Sequence, residues 1–180
     1  MRHCLIMIAS SLIVLSATPA PAQMDMPKDK PACPATPAAL PAELASWSDP
    51  SAMAAATDPV AVAGAGLVIG QAVDLALAPT PKVKYALRPE RPGGSVSHGG
   101  LAAFQIETAG IYRVAIDSAA WLDVVSDGKS LESVSHGHGP DCSGVRKMVD
   151  FNLQPGVYVL QIVGNGTPTV RVLVTTAPTK

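Results

Sequence analysis

Gly110-Ile111-Tyr112-Arg113-Val114-Ala115-Ile116, led by Phe104-Gln105-Ile106, is the stretch on which the fold turns. Apolar residues at every second position mark strands with one buried face, and the glycine between them marks a turn. The pattern returns as Phe151-Asn152-Leu153 followed by Gly156-Val157-Tyr158-Val159-Leu160-Gln161-Ile162. In both copies a glycine stands two residues before a tyrosine, and Tyr-x-(Val/Leu)-x-Ile lines one face of the second strand. Each copy reads as strand, tight turn, strand: a hairpin whose glycine supplies a positive φ.

Outward from these copies the alternation continues. Trp121-Leu122-Asp123-Val124-Val125 turns at Asp127-Gly128, a strong type I′ hairpin signal, and returns through Leu131 to Val134. Asn165-Gly166 leads into Val170-Arg171-Val172-Leu173-Val174. Upstream, Val73, Leu75 and Leu77 form one alternating run, and Val83, Tyr85 and Leu87 form another. The proline- and glycine-broken run from Arg88 to Gly94 cannot continue a ladder or a helix. Short strands punctuated by turns predict an all-β domain, an antiparallel β-sandwich of jelly-roll-like form, over residues 71–176.

The two Gly-x-Tyr units, each led by Phe-x-(Ile/Leu), resemble bacterial pre-peptidase C-terminal domains, small secreted jelly-roll sandwiches usually appended to proteases and similar enzymes. The resemblance spans roughly Val73 to Val174 and implies the fold alone. The chain departs from that family in its His-Gly-His loop and in carrying no catalytic domain, so no functional residue is carried over.

The first residues carry targeting features. Arg2, an apolar run from Leu5 to Leu15 and the Ala20-Pro21-Ala22 site predict a signal peptide over residues 1–22, with a periplasmic or secreted mature chain. The run is too short to span a bilayer, and no transmembrane segment is expected after cleavage. Residues 23–41 hold Pro27, Pro31, Pro34, Pro37 and Pro41, and read as a disordered, flexible linker. Met24 and Met26 at its start suit copper(I) but read more simply as part of a mobile terminus. Residues 42–70 read as loop leading into the domain. From Leu40 to Trp47, Leu40, Leu44 and Trp47 share one face of a short helix, and a short strand is expected near Val60-Ala61-Val62.

Charge and composition narrow the function. A formal net charge of −1 and the lack of a basic patch argue against nucleic acid, and aromatics at 4% argue against a platform of rings for carbohydrate. There is no Gly-x-Ser-x-Gly and no His-Glu-x-x-His, so the expectation is a protein that is not an enzyme. Chemistry concentrates in Ser135-His136-Gly137-His138-Gly139-Pro140-Asp141-Cys142. Two positions apart on an extended strand, His136 and His138 face the same side, and imidazoles suit zinc or copper(II). Gly137 and Gly139 leave room between them for a ligand. His98, in a second glycine-rich loop that also precedes a Phe strand, is the expected third metal ligand. Cys142 is open to two readings, thiolate ligand or disulfide partner of Cys33, and an oxidising compartment favours the disulfide.

The sequence therefore predicts a non-enzymatic binding protein holding copper or zinc through His136, His138 and His98. The other expectation is an accessory module whose loops bind an envelope protein or glycan without metal. Thiol titration of the unreduced mature chain is expected to find no free thiol; two reactive thiols would exclude the Cys33–Cys142 bridge.

Overall fold

The computed structural model describes Cys33 and residues 39–178. The predicted signal peptide, nearly all of the proline-rich linker, and Met24 and Met26 lie outside the described residues. Twelve strands are described: β1 (Ser51–Ala54), β2 (Gly66–Leu67), β3 (Ala72–Ala76), β4 (Ala78–Pro79), β5 (His98–Ile106), β6 (Gly110–Ile116), β7 (Trp121–Ser126), β8 (Lys129–Ser130), β9 (Ser135–Gly137), β10 (Lys147–Leu153), β11 (Gly156–Asn165) and β12 (Thr169–Thr176). One sheet runs β1-β3-β12-β6-β10-β9. The other runs β2-β5-β11-β7-β8, with β4 also paired to β5. The expected β-sandwich is present. Its ladders are antiparallel except where β1 joins β3 and β2 joins β5, both parallel. The sheets therefore start at Ser51, upstream of the predicted boundary at residue 71.

The Gly-x-Tyr copies are not hairpins. β5 and β6 lie in different sheets, as do β10 and β11, so each turn is an arch from one sheet to the other. The arches pair with each other: β5 with β11, and β6 with β10. Tyr158 stands opposite Phe104, and Tyr112 opposite Phe151. The two copies are thus interlocked by an approximate two-fold relation. The glycines do not supply positive φ either. Gly110 has none, and Gly156 at φ 159° is extended backbone.

What fixes the arches is the tyrosines. Tyr112 Oη donates to Thr108 O, and Tyr158 Oη donates to Gln154 O, each at 2.8 Å and each to the carbonyl four residues upstream. This is the tyrosine-corner arrangement, in which a buried ring carries its hydroxyl back to the turn that precedes it. The rings themselves belong to the core between the sheets, with Phe104 stacked on Tyr158 at 5.5 Å. Inward positions of the paired strands, among them Leu75, Ile106, Ile116, Leu160, Ile162 and Val172, fill the same core.

Both outer faces are covered as well. On the first sheet, Ala72, Leu173, Ala115 and Met148 are successive neighbours across four strands. On them sit Leu44 and Trp47 of the 3₁₀ helix Ala42–Ser48, the short helix expected from the sequence. Two arginines secure it. Arg171 pairs bidentately with Asp74 (2.7 and 3.1 Å), donates to Trp47 O (3.1 Å) and lies over the Trp47 ring. Arg113 pairs bidentately with Asp150 (2.8 and 2.9 Å) and approaches Glu43 at 3.9 Å.

The second sheet is crossed by residues 83–91, where the sequence suggested a strand at Val83-Tyr85-Leu87. The segment lies over the face of the sheet and has no strand neighbour. Lys84 N bonds Thr57 O. Further along, the side chain of Gln161, fully buried on β11, accepts from Leu87 N at 2.8 Å and reaches Leu87 O at 3.4 Å. The strand expected at Val60–Val62 is also absent. Ala61–Gly64 is a 3₁₀ turn whose entry is held by Asp58 Oδ1, which accepts from Val60 N and Ala61 N. The Asp127-Gly128 hairpin forms as expected, with φ 49° and 70°, although its return strand is only Lys129–Ser130.

Tyr112→Phe and Tyr158→Phe are each expected to lower stability by about 1 kcal/mol, the net value of one such hydrogen bond. Arg113→Ala, which strands the buried Asp150 carboxylate, is expected to cost about 3 kcal/mol. Urea denaturation measures all three; a Tyr158→Phe variant as stable as wild type would contradict the role given to the corner.

Candidate metal and ligand cleft

The histidine loop leaves β8 on the second sheet and crosses to the first as β9, the edge strand beside β10. His136 stands opposite Val149 there. His138 follows directly. Its Nδ1 lies 2.9 Å from Arg146 O. A carbonyl oxygen only accepts, so Nδ1 is the donor here; in the neutral ring this leaves the lone pair on Nε2, the nitrogen free to ligate a metal. Both imidazoles line one cleft of about 760 Å³.

The span from His138 to Arg146 is braced at several points. Ser143 Oγ donates to Pro140 O (2.6 Å) and accepts from Val145 N (3.0 Å). Val145 is buried with Leu44 and Trp47 on the outer face of the first sheet. Cys142, at φ 61°, is bridged to Cys33, with Cα atoms 5.5 Å apart across a sequence separation of 109. Cys142 is therefore a disulfide partner and no thiolate ligand. Closing a loop of that length stabilises by about 4–5 kcal/mol in the chain-entropy account. The glycines behave differently from one another. A Cβ at Gly139 would strike Val145, so that glycine admits the chain's own packing and not a ligand, whereas Gly137 faces open space.

His98 is placed elsewhere. It opens β5, opposite Asn165 on one side and Pro79 on the other. Its Nδ1 is buried with no hydrogen-bond partner, and it does not line the histidine cleft. Residues His98–Gly100 are strand, not loop. Gly100 is needed because a Cβ there would strike Ala55. Among the described residues no group of three or more His, Cys, Asp or Glu is placed to hold a metal ion.

Three residues of the cleft carry weight that the sequence did not signal. Trp121 stands on its wall, with Nε1 donating to Asp123 Oδ1 at 2.9 Å and the Arg91 guanidinium 5.3 Å above its ring. Asp123 is held again by Gln161 Nε2 at 3.3 Å. Lys147, at the start of β10, turns its ammonium onto the carbonyls of Ala119 and Ala120. Burial pushes the Lys147 pKa down, and the neighbouring charges of Arg146 and Arg91 lower it further. Lys147 therefore stands within electrostatic reach of two further cations, Arg146 and Arg91. A lysine that opens an alternating strand gives no sign of this. Its neighbours come from the strap over the second sheet and from the loop before β7. A second cavity, of about 840 Å³, lies beside the 3₁₀ helix and is lined by Trp47 and Arg171, which already serve to hold that helix.

No protein-family model matches the chain, and no curated protein matches it. Among solved structures it is similar to a chain described as a novel beta-glucosidase from Paenibacillus barengoltzii, with 19% identity and a TM-score of 0.29. The match covers 69% of this chain and 13% of that one. At that score the likeness bears on neither fold nor activity. No helix among the described residues is long and apolar enough to cross a membrane.

Lys147 is expected to titrate below the ordinary lysine range in an NMR pH series, chiefly through burial, and Arg91→Ala to raise it slightly. Because its folded-state value lies below the unfolded one, the unfolded chain binds more protons between the two, and its contribution to stability grows as pH rises through that window. A Lys147 signal titrating with the exposed lysines would contradict the clustering.

Proposed function

We infer that this chain is a secreted or periplasmic binding protein, not an enzyme, that holds copper(II) or zinc at His136 and His138. The observation that carries the reading is the pair itself. Two imidazoles line one cleft, and one of them has its tautomer set by a backbone carbonyl so that Nε2 faces out as a donor. His98 is not part of this site. Two imidazoles occupy half of a tetrahedral zinc sphere or half of a copper(II) plane, and the remaining positions fall to water or to donors brought from outside. The disulfide is the support this site needs, because it anchors the turn that returns His138 to Arg146. It also suits an oxidising compartment, in line with the expected signal peptide.

A second reading has its own support: an accessory sandwich module, like the pre-peptidase C-terminal domains it resembles, that takes an envelope protein or glycan without metal. Trp121 on the cleft wall, with Leu131 and Phe151 beside it, offers the apolar contact such a partner would use.

Calorimetric titration of copper(II) and zinc into the mature protein is expected to show binding with micromolar or tighter affinity at one site. His136→Ala/His138→Ala is expected to abolish it, and His98→Ala to leave it unchanged. Absence of binding by wild type, or binding that survives in the double variant, would remove the metal reading and leave the second.

A further inference from the structure

The wall of the cleft that carries Trp121 is ordered by its own hydrogen bonds. Trp121 Nε1 donates to Asp123 Oδ1 at 2.9 Å, and Gln161 Nε2 donates to Asp123 Oδ2 at 3.3 Å. Gln161 is fully buried, and the oxygen of the same amide accepts from Leu87 N at 2.8 Å. The Arg91 guanidinium stands 5.3 Å over the Trp121 ring. One carboxylate thus has a donor on each oxygen, and the indole beside it is held at its edge and over one face. Groups fixed in this way cost little to order when a ligand arrives. Around them the lining mixes both charges with apolar side chains. Glu90, Asp123 and Glu132 stand against Arg146 and Lys147, and Leu131, Val149 and Phe151 lie among them. Three carboxylates facing two cations select neither an anion nor a cation. They suit a ligand whose polar groups donate to the carboxylates and accept from the cations, and a hydroxyl does both. An extended peptide is served poorly, because β9 offers only Ser135–Gly137 as an edge before Pro140, too short a ladder for strand addition.

Resting on the second reading above and independent of the metal, we propose that the cleft holds a short neutral oligosaccharide. One sugar ring rests against Trp121, and its hydroxyls donate to Asp123 and Glu132 and accept from Arg146. Its carbon-bound hydrogens meet Val149 and Phe151. A single indole is no platform, and none is needed where polar side chains close on the sugar from four segments: the strap, β7, the crossing from β8 to β9, and the entry to β10. The volume of about 760 Å³ lies within the range of small-molecule sites. Binding is by contact and hydrogen bonding alone, and no covalent bond is made or broken.

The test is an NMR titration of the mature protein, with EDTA present, that follows the Trp121 indole N–H and the backbone amides of β7. Three probes are used: cellotriose, tri-N-acetylchitotriose and the zwitterionic peptide trialanine. At least one of the two sugars is expected to shift these signals with a dissociation constant of about 1 mM or tighter. Trp121→Ala is expected to weaken that binding about tenfold, as removal of an aromatic anchor does. Glu132→Gln, an exposed change that spares the fold, is expected to weaken it about fivefold, the size of one hydrogen bond. No shift from either sugar overturns the inference, and so does sugar binding that persists unchanged in both variants. Trialanine binding more tightly than both sugars overturns it as well, while sparing a protein partner under the second reading. Silence of all three probes overturns it together with the part given to the cleft in that reading. With EDTA present, none of these outcomes bears on the metal.

Discussion

The fold is organised around two arches, each pinned by a tyrosine hydroxyl held by the carbonyl four residues before it. Each hydrogen bond closes an arch, and each arch sends one strand to either sheet. An arch alone leaves both of its strands with open edges, which is unstable in water because backbone donors and acceptors must be paired. The other arch supplies those partners, strand for strand, with each tyrosine opposite the other unit's phenylalanine. The repeated sequence is therefore two halves of one core, and neither half folds in this form without the other.

That core leaves two outer faces that are also apolar, and the chain covers both with its own segments. The 3₁₀ helix on the first sheet is held by packing and by Arg171 and Arg113. The strap on the second sheet is held by Gln161, whose amide imitates a neighbouring strand for a single residue. The open side between β9 and the β7–β8 hairpin is where the cleft forms. Each wall of it is set by a cover. The strap carries Arg91 to Trp121, and the helix and disulfide back the turn that brings His138 to Arg146.

Local signals in the sequence revealed the strands and several details. Period-two alternation located β3, β6, β7, β11 and β12, Asp127-Gly128 located a type I′ turn, and Leu44 with Trp47 located a helical face. The pairing of Cys33 with Cys142 followed from compartment and number. A short glycine-containing connection between alternating strands looks the same in sequence whether the next strand pairs with the last or crosses the core, so an arch carries the signal of a hairpin. The register of Tyr against Phe decides that, and it is set by contacts far apart in sequence. Val83-Tyr85-Leu87 alternates because one side packs on a sheet, yet it lies across the face and not along the edge. His98 was grouped with the other histidines on local likeness. Counting back from the paired phenylalanines, it falls level with Val145, not with His136 or His138. Trp121, Arg91 and Lys147 were out of reach, because three separate segments converge on the cleft.

The central claim is that two imidazoles of this cleft, and no more, ligate the metal. Pulsed electron paramagnetic resonance of the protein loaded with one equivalent of copper(II) counts coordinated imidazoles from their remote nitrogens. The account predicts the combination pattern of two, collapsing when His136 and His138 are replaced and unmoved by His98→Ala. A three-imidazole pattern that includes His98, or a spectrum with no imidazole coupling, would contradict it.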